Sequence, residues 1–262
     1  MKITDTLAAV AAVTLPLLAG MLACIELGWR SGKRRLARGA DGPHSGLGVV
    51  ESSAFALFGL LIAFTFSGAA SRFDARRQLI AEETNAVGTA YLRLDLLSAE
   101  SQPGLRDLFR RYLDTRLAAY RKMPDVAAAM EELSRANRLQ QEIWAAAMAA
   151  IGSPRAHPDS ARLLLPAINA MIDVTTTRLM AARMHPPLVV YALLLALALL
   201  CSFLAGHAMA GSRERSWLHI LSFAAITVIT IYTILEIEYP RIGLIRLDPY
   251  DQVMVELRAG MK

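Results

Sequence analysis

Residues 50–80 read VESSAFALFGLLIAFTFSGAASRFDARRQLI. Ser52 to Ser71 carries no charge and, at about 1.5 Å rise per residue, is long enough to cross roughly 30 Å of hydrocarbon. From Arg72 the composition turns charged, yet no proline interrupts the chain before Pro103. The expected element is one helix from Val49 to Glu100 that begins as a span and continues as an amphipathic rod. Its apolar stripe is Phe73, Ile80, Thr84, Val87, Tyr91 and Leu94, recurring at intervals of three, four and seven.

Three more windows have the length and apolarity of a span: about 7–25, 187–211 and 216–235. With 55% hydrophobic residues in 262 and a mean hydropathy of +0.37, the chain lies above an ordinary soluble domain. The first window begins after Lys2, and Leu22-Ala23-Cys24 faintly resembles a lipoprotein cleavage site. The length of the run, the poor fit of Met21 and the apolar sequence after Cys24 argue for a retained span. Cys24 and Cys201 both fall inside expected spans, so neither a disulfide framework nor a zinc spacing is expected.

The net charge of +5 would suggest nucleic acid in a soluble protein. Here Arg30, Lys33, Arg34, Arg35 and Arg38 flank the first span, where basic residues fix topology, and no nucleic-acid partner is expected. The expected architecture is all-α. Transmembrane hairpin 1 occupies 1–71, with a basic glycine-containing loop (Ser31 to Gly48). A helical extramembrane domain fills 72–185, and hairpin 2 occupies 186–238, turning at Arg213, Glu214 and Arg215. A C-terminal segment, 239–262, completes the chain.

Within the insert, Pro103 suits the first turn of a helix with Leu105, Leu108, Phe109, Tyr112, Leu117 and Tyr120 inward, ending at Pro124. A further helix, Asp125 to Ile151, should bury Met130, Leu133, Ile143 and Trp144. After a loop around Gly152-Ser153-Pro154, Ser160 to Arg183 should bury Leu164, Ile168, Met171, Ile172 and Leu179. Tyr239-Pro240 breaks the last span. Asp248-Pro249 reads as an N-cap and first turn of a short helix carrying Val253, Met254 and Leu257.

No catalytic constellation emerges. The histidines (44, 157, 185, 207 and 219) lack metal spacing, and no cofactor motif is present, so the chain does not read as an enzyme. The best functional surface is the second span. Phe58, Ile62 and Phe66 share one helix face, where copies from several subunits would form a hydrophobic constriction that gates by dewetting, with Ser52, Thr65 and Ser67 wetting the passage. Packing on neighbouring helices or lipid, the fate of most apolar stripes in spans, explains the same stripe. Glu51 stands at one mouth, and Arg72, Arg76 and Arg77 at the other, either as a vestibule ring or as interfacial anchors paired with Asp74, Glu82 or Glu83. Glu26, Glu236 and Glu238 sit at interface depth, with Arg30 and Arg241 as plausible partners.

With residues 50–80 quoted above, followed by 82–97 (EETNAVGTAYLRLDLL), 175–189 (TTTRLMAARMHPPLV) and 238–248 (EYPRIGLIRLD), the chain resembles the bestrophin-like domain family of bacterial membrane proteins, over about Val49 to Arg258. The resemblance implies kinship to bestrophins, pentameric anion channels with a hydrophobic neck on the second span. On it, Phe58, Ile62 and Phe66 are the neck, the protein is a homo-oligomer of the bacterial inner membrane, and its partners are the bilayer and inorganic ions. Bestrophins hold their helical region in the cytosol, whereas the basic flank of the first span would place residues 72–185 outside the cytoplasm. The acidic calcium-binding cluster of animal bestrophins has no fuller counterpart than Asp248 and Asp251. The rival reading is a non-conducting scaffold or sensor that couples its helical domain to the membrane.

Overall fold

The computed structural model describes residues 3–38, 45–123, 125–211, 216–241 and 244–262, with side chains from residue 10 in the first stretch and residue 48 in the second. Among the described residues eight α-helices follow in order: α1 (Ile3–Ala37), α2 (Ser45–Leu92), α3 (Gln102–Arg121), α4 (Val126–Ile151), α5 (Ser160–Arg183), α6 (Leu188–Ala208), α7 (Trp217–Glu238) and α8 (Gln252–Gly260). No strand occurs among the described residues. Four runs among the described residues are helical, long and apolar enough to cross a membrane. They contain α1, α2, α6 and α7.

Several boundaries differ from the sequence reading. α1 extends to Ala37 and takes in Gly32, Lys33, Arg34 and Arg35, which were expected in a loop. Gly39 and Gly42-Pro43 of that loop lie outside the described residues, as do Arg213 to Arg215 and Pro124. α2 stops at Leu92 and tightens into a 3-10 turn over Arg93–Leu96 rather than reaching Glu100. Asp125 caps α4, its carboxylate accepting from the Ala128 N–H at 3.0 Å. Asp248 does not cap α8. It opens a 3-10 turn, Asp248–Asp251, and holds Arg246 at 2.6 Å.

The chain divides into two compact units, residues 1–71 with 185–239 and residues 72–184 with 240–262. In the first, α1 packs chiefly on α6 and then on α7. The sequence suggested pairing of consecutive spans, but the close approach is between α1 and α6. Apolar chains gain little from leaving lipid for each other, so helices in a bilayer approach where small residues permit it. A β-carbon added at Gly28 would collide with the Phe203 carbonyl, and one at Gly206 with the Ile25 carbonyl. Gly32 lies as tightly against His207 and Ala210. This register runs upward in both helices, so α1 and α6 are parallel.

The second unit has its own core, with Ile80 and Val87 of α2, Leu94 of the 3-10 turn that follows it, Phe109, Tyr112 and Leu113 of α3, Ile143 of α4, and Leu164, Ile168 and Met171 of α5. All but Leu113 belong to the predicted stripes. Three apolar residues depart from them: Met130, Leu179 and Val253 were expected inside and are exposed.

Candidate functional site

The first unit settles which face of α2 its own chain covers. Phe58 is 4% exposed and belongs to one buried cluster with Leu194, Leu197 and Ala198 of α6 and Ile231 and Ile234 of α7. Ile62 is partly buried against the same cluster, and Phe66 is 42% exposed. The three sequence candidates therefore do not share one environment, although they share a helix face. Thr65 is buried and donates to the Leu61 carbonyl at 2.6 Å, so its hydroxyl is satisfied within the helix. Ser52 and Ser67 are exposed, and Glu51 is half-buried.

The opposite face of α2 is open. Leu60 is 52% and Phe64 67% exposed, with Leu57 beside them. Ser53, Leu57, Leu60, Phe64, Ser67 and Ser71 fall at steps of four, three, four, three and four, all exposed. That is one helical stripe with hydroxyls at its ends and bulky apolar groups in its middle. Sequence periodicity does not distinguish it from the Phe58 stripe, because both faces are apolar.

At the other interface-depth carboxylates, Arg30 holds Glu26 at 2.7 Å. Glu238 is fully buried and meets His185 at 2.9 Å, with the imidazole stacked on Tyr239 at 4.5 Å between ring centres. Glu236 accepts from the Tyr232 hydroxyl. Arg241, considered above as a partner for such groups, holds Asp248 and Asp251.

In the second unit the arginines are used differently from a simple ring. Arg77 pairs with Asp74 at 3.0 Å and lies over the Tyr250 ring at 4.3 Å. Arg76 is buried and donates to the Ala181 carbonyl at 3.1 Å and the Met184 carbonyl at 3.0 Å. It thus places a cation on the unsatisfied carbonyls at the C-terminus of α5. Arg72 is half-buried.

The centre of this unit is a buried ionic cluster. Glu83 of α2 is 0% exposed. Its Oε1 accepts from Arg116 Nε at 2.6 Å, and its Oε2 from Arg116 Nη2 at 3.1 Å and Arg178 Nη1 at 2.5 Å. Arg178 Nη2 reaches Asp251 at 3.0 Å, and Arg241 reaches the same carboxylate at 3.0 Å. The Tyr120 ring packs against all three guanidiniums, at 5.1 Å from Arg116, 3.9 Å from Arg178 and 4.6 Å from Arg241. Such flat, weakly hydrated cations stack on aromatic faces and bind carboxylates through two donors at once.

Burial pushes the Glu83 carboxyl upward, but the charges of Arg116 and then Arg178, with their hydrogen bonds, outweigh it and hold the group below the usual carboxylate range. Burial raises the Tyr112 and Tyr120 phenols, so both stay protonated. Gln140 joins the cluster's edge, donating to Tyr112 and Thr175 at 3.2 Å each. The sequence reading treated Glu83 only as one choice of partner for nearby arginines and did not single out Arg116 or Arg178. The available signal was positional. Glu83 falls three residues after Ile80, Arg116 three after Leu113, and Arg178 three after Thr175, all on inward stripes.

Asp248 and Asp251 are both engaged by arginine. Among the described residues no cluster of three or more His, Cys, Asp or Glu side chains has the arrangement of a metal site.

These features define an all-helical membrane protein with apolar helices of spanning length and a separately cored, arginine-rich helical unit. The model of the Bestrophin-like domain matches residues 31–251, and the chain belongs to that family. Its fold is similar to a crystal structure of a bacterial bestrophin homolog from Klebsiella pneumoniae carrying a point mutation. That chain has 16% sequence identity and a TM-score of 0.63, with 94% of this chain and 98% of the other covered. A second structure of the Klebsiella pneumoniae homolog, solved by zinc phasing, gives 16% identity and a TM-score of 0.63, covering 92% and 96%. No curated protein sequence matches the chain.

Proposed function

We propose that this protein is a homo-oligomeric, multi-pass ion channel of the bacterial inner membrane, in which copies of α2 line the conduit. The observation that carries the reading is the open stripe of α2, apolar at Leu57, Leu60 and Phe64 and flanked by Ser53, Ser67 and Ser71, in a fold similar to that of bacterial bestrophin homologs. A ring of such helices gives an apolar constriction with hydroxyl-lined mouths, the arrangement that gates by dewetting. Phe58 then holds α2 against α6 and α7 rather than facing ions, because a side chain enclosed by its own subunit has no access to a shared axis. Anions are the favoured cargo, by kinship with bestrophins.

The test is ion flux from liposomes in chloride and then potassium gradients. Leu60→Ala/Phe64→Ala should conduct more than wild type, whereas Phe58→Ala should lower the yield of folded protein without opening a path. A larger flux from Phe58→Ala than from Leu60→Ala/Phe64→Ala would return the constriction to the first face. Absence of flux from every variant, across pH and calcium, would favour a non-conducting scaffold or sensor.

A further inference from the structure

The arginine cluster of the second unit is open on one side to a cleft of about 320 Å³. Among the described residues its lining includes five arginines, Arg76, Arg116, Arg178, Arg183 and Arg241, and no carboxylate. Glu83 and Asp251, which hold Arg116, Arg178 and Arg241, are not among the lining residues. Arg183 is exposed and has no ion pair among the described residues.

The remaining wall is apolar, and it accounts for two of the residues that depart from the predicted core. Met130 of α4 and Leu179 of α5 occupy inward positions of their stripes, yet they stand 41% and 37% exposed. Both line the cleft, with Val126 and Leu133. Apolar side chains at core positions that face a void beside a cationic wall form the two halves of an amphiphile site.

We propose that this cleft binds a single-chain anionic amphiphile, with a carboxylate or phosphate head on the arginines and an apolar tail along Met130, Leu133 and Leu179. The volume is at the low end of the roughly 300–1,000 Å³ usual for ligand pockets, which suits one short chain and excludes a two-chain lipid tail. Planar guanidiniums favour carboxylate and phosphate through paired, charge-assisted hydrogen bonds. Arg76, Arg183 and Arg241 each lie within five residues of a point where the chain passes between the two units. The same head chemistry could therefore arrive dissolved in water or carried in a membrane, and the experiment separates these sources. The inference does not depend on ion conduction.

Full-length protein in phosphatidylcholine nanodiscs is titrated calorimetrically with decanoate, decyl phosphate, decanol and inorganic phosphate. A parallel set of discs carries single-chain lysophosphatidic acid, and hydrogen exchange is followed over residues 116–133 and 176–183. Decanoate and decyl phosphate should bind and protect both segments, at least tenfold more tightly than decanol or inorganic phosphate. Protection by lysophosphatidic acid in the disc, with weak binding from water, would assign the same site to a membrane-borne ligand.

Arg183→Ala should weaken binding about tenfold, the loss of one hydrogen bond to a charged group. Met130→Asp should abolish it, and Leu163→Asp, exposed elsewhere on this unit, should leave it unchanged. Equal affinity for decanol, equal affinity for inorganic phosphate, or unaltered binding in Met130→Asp would overturn the proposal. So would a change of oligomer size in Met130→Asp when wild type binds no amphiphile, which would assign the apolar mouth to a second copy of the chain.

Discussion

Replacing Glu83 by glutamine keeps the side-chain volume but removes the charge that two buried arginines share. Four hydrogen bonds to its carboxylate are at stake, two from Arg116, one from Arg178 and a long one from the Tyr120 hydroxyl at 3.5 Å. Breaking one member of a buried ion pair typically costs about 3–5 kcal/mol, because the remaining charge stays desolvated. Asp251 still holds Arg178, while Arg116 is left without a carboxylate among its hydrogen-bond partners, so the lower half of that range, about 3–4 kcal/mol, applies. In a domain of this size that corresponds to a fall in unfolding temperature on the order of 10 °C. Trp144 packs against the core of this unit and reports on it once Trp29 and Trp217 are replaced by phenylalanine. Thermal unfolding of the full-length protein in mild detergent, followed by Trp144 fluorescence, provides the measurement. Glu82→Gln, one residue away and exposed, is the control, with a shift of no more than about 2 °C. If Glu83→Gln and Glu82→Gln unfold together, the cluster does not hold this unit and its assignment is refuted.

The same carboxylate predicts an acid limit. Because the folded Glu83 pKa lies below its unfolded value, the stabilisation is fully present above the unfolded pKa of about 4.3 and is lost as pH falls through the folded value. Trp144-detected stability in wild type should therefore decline below about pH 4, and the part of that decline due to this group should vanish in Glu83→Gln. At the helix contact of the other unit, Gly28→Leu would force its side chain into the Phe203 backbone, whereas Gly59→Leu meets open space. Size-exclusion chromatography in detergent should give a monodisperse peak for Gly59→Leu and aggregation for Gly28→Leu; the reverse order would refute the α1–α6 register. Asp125→Ala removes the α4 cap and should lower stability by about 1 kcal/mol in urea titrations monitored at Trp144. An unchanged midpoint would show that the cap contributes nothing.

Much of the secondary structure is legible locally. α5 occurs over the expected residues, and α4 starts one residue after the aspartate that caps it, because apolar periodicity, a capping side chain and proline all act within a few residues. The lipid-length windows are equally direct, since spanning a bilayer imposes a length and an absence of charge. Three of the four stretches that carry the family resemblance also contain Glu83, Arg178 and Arg241, but their mutual pairing is not written in any one of them.

What the chain order leaves open is which of two similar surfaces is covered. α2 is apolar around its whole span, so periodicity marks Phe58, Ile62 and Phe66 as readily as Leu57, Leu60 and Phe64. Only the packing of α6 and α7 encloses Phe58 and leaves Phe64 outside. In the second unit, an inward position for Met130 or Leu179 does not reveal whether a neighbouring side chain fills the space beyond it. The sequence by itself determined where helices form and which are long and apolar enough to span, because those properties depend on short-range periodicity and length. The tertiary structure decided which helix faces meet, which charges become buried partners and where a cleft remains, because these depend on groups far apart in the chain occupying the same small volume.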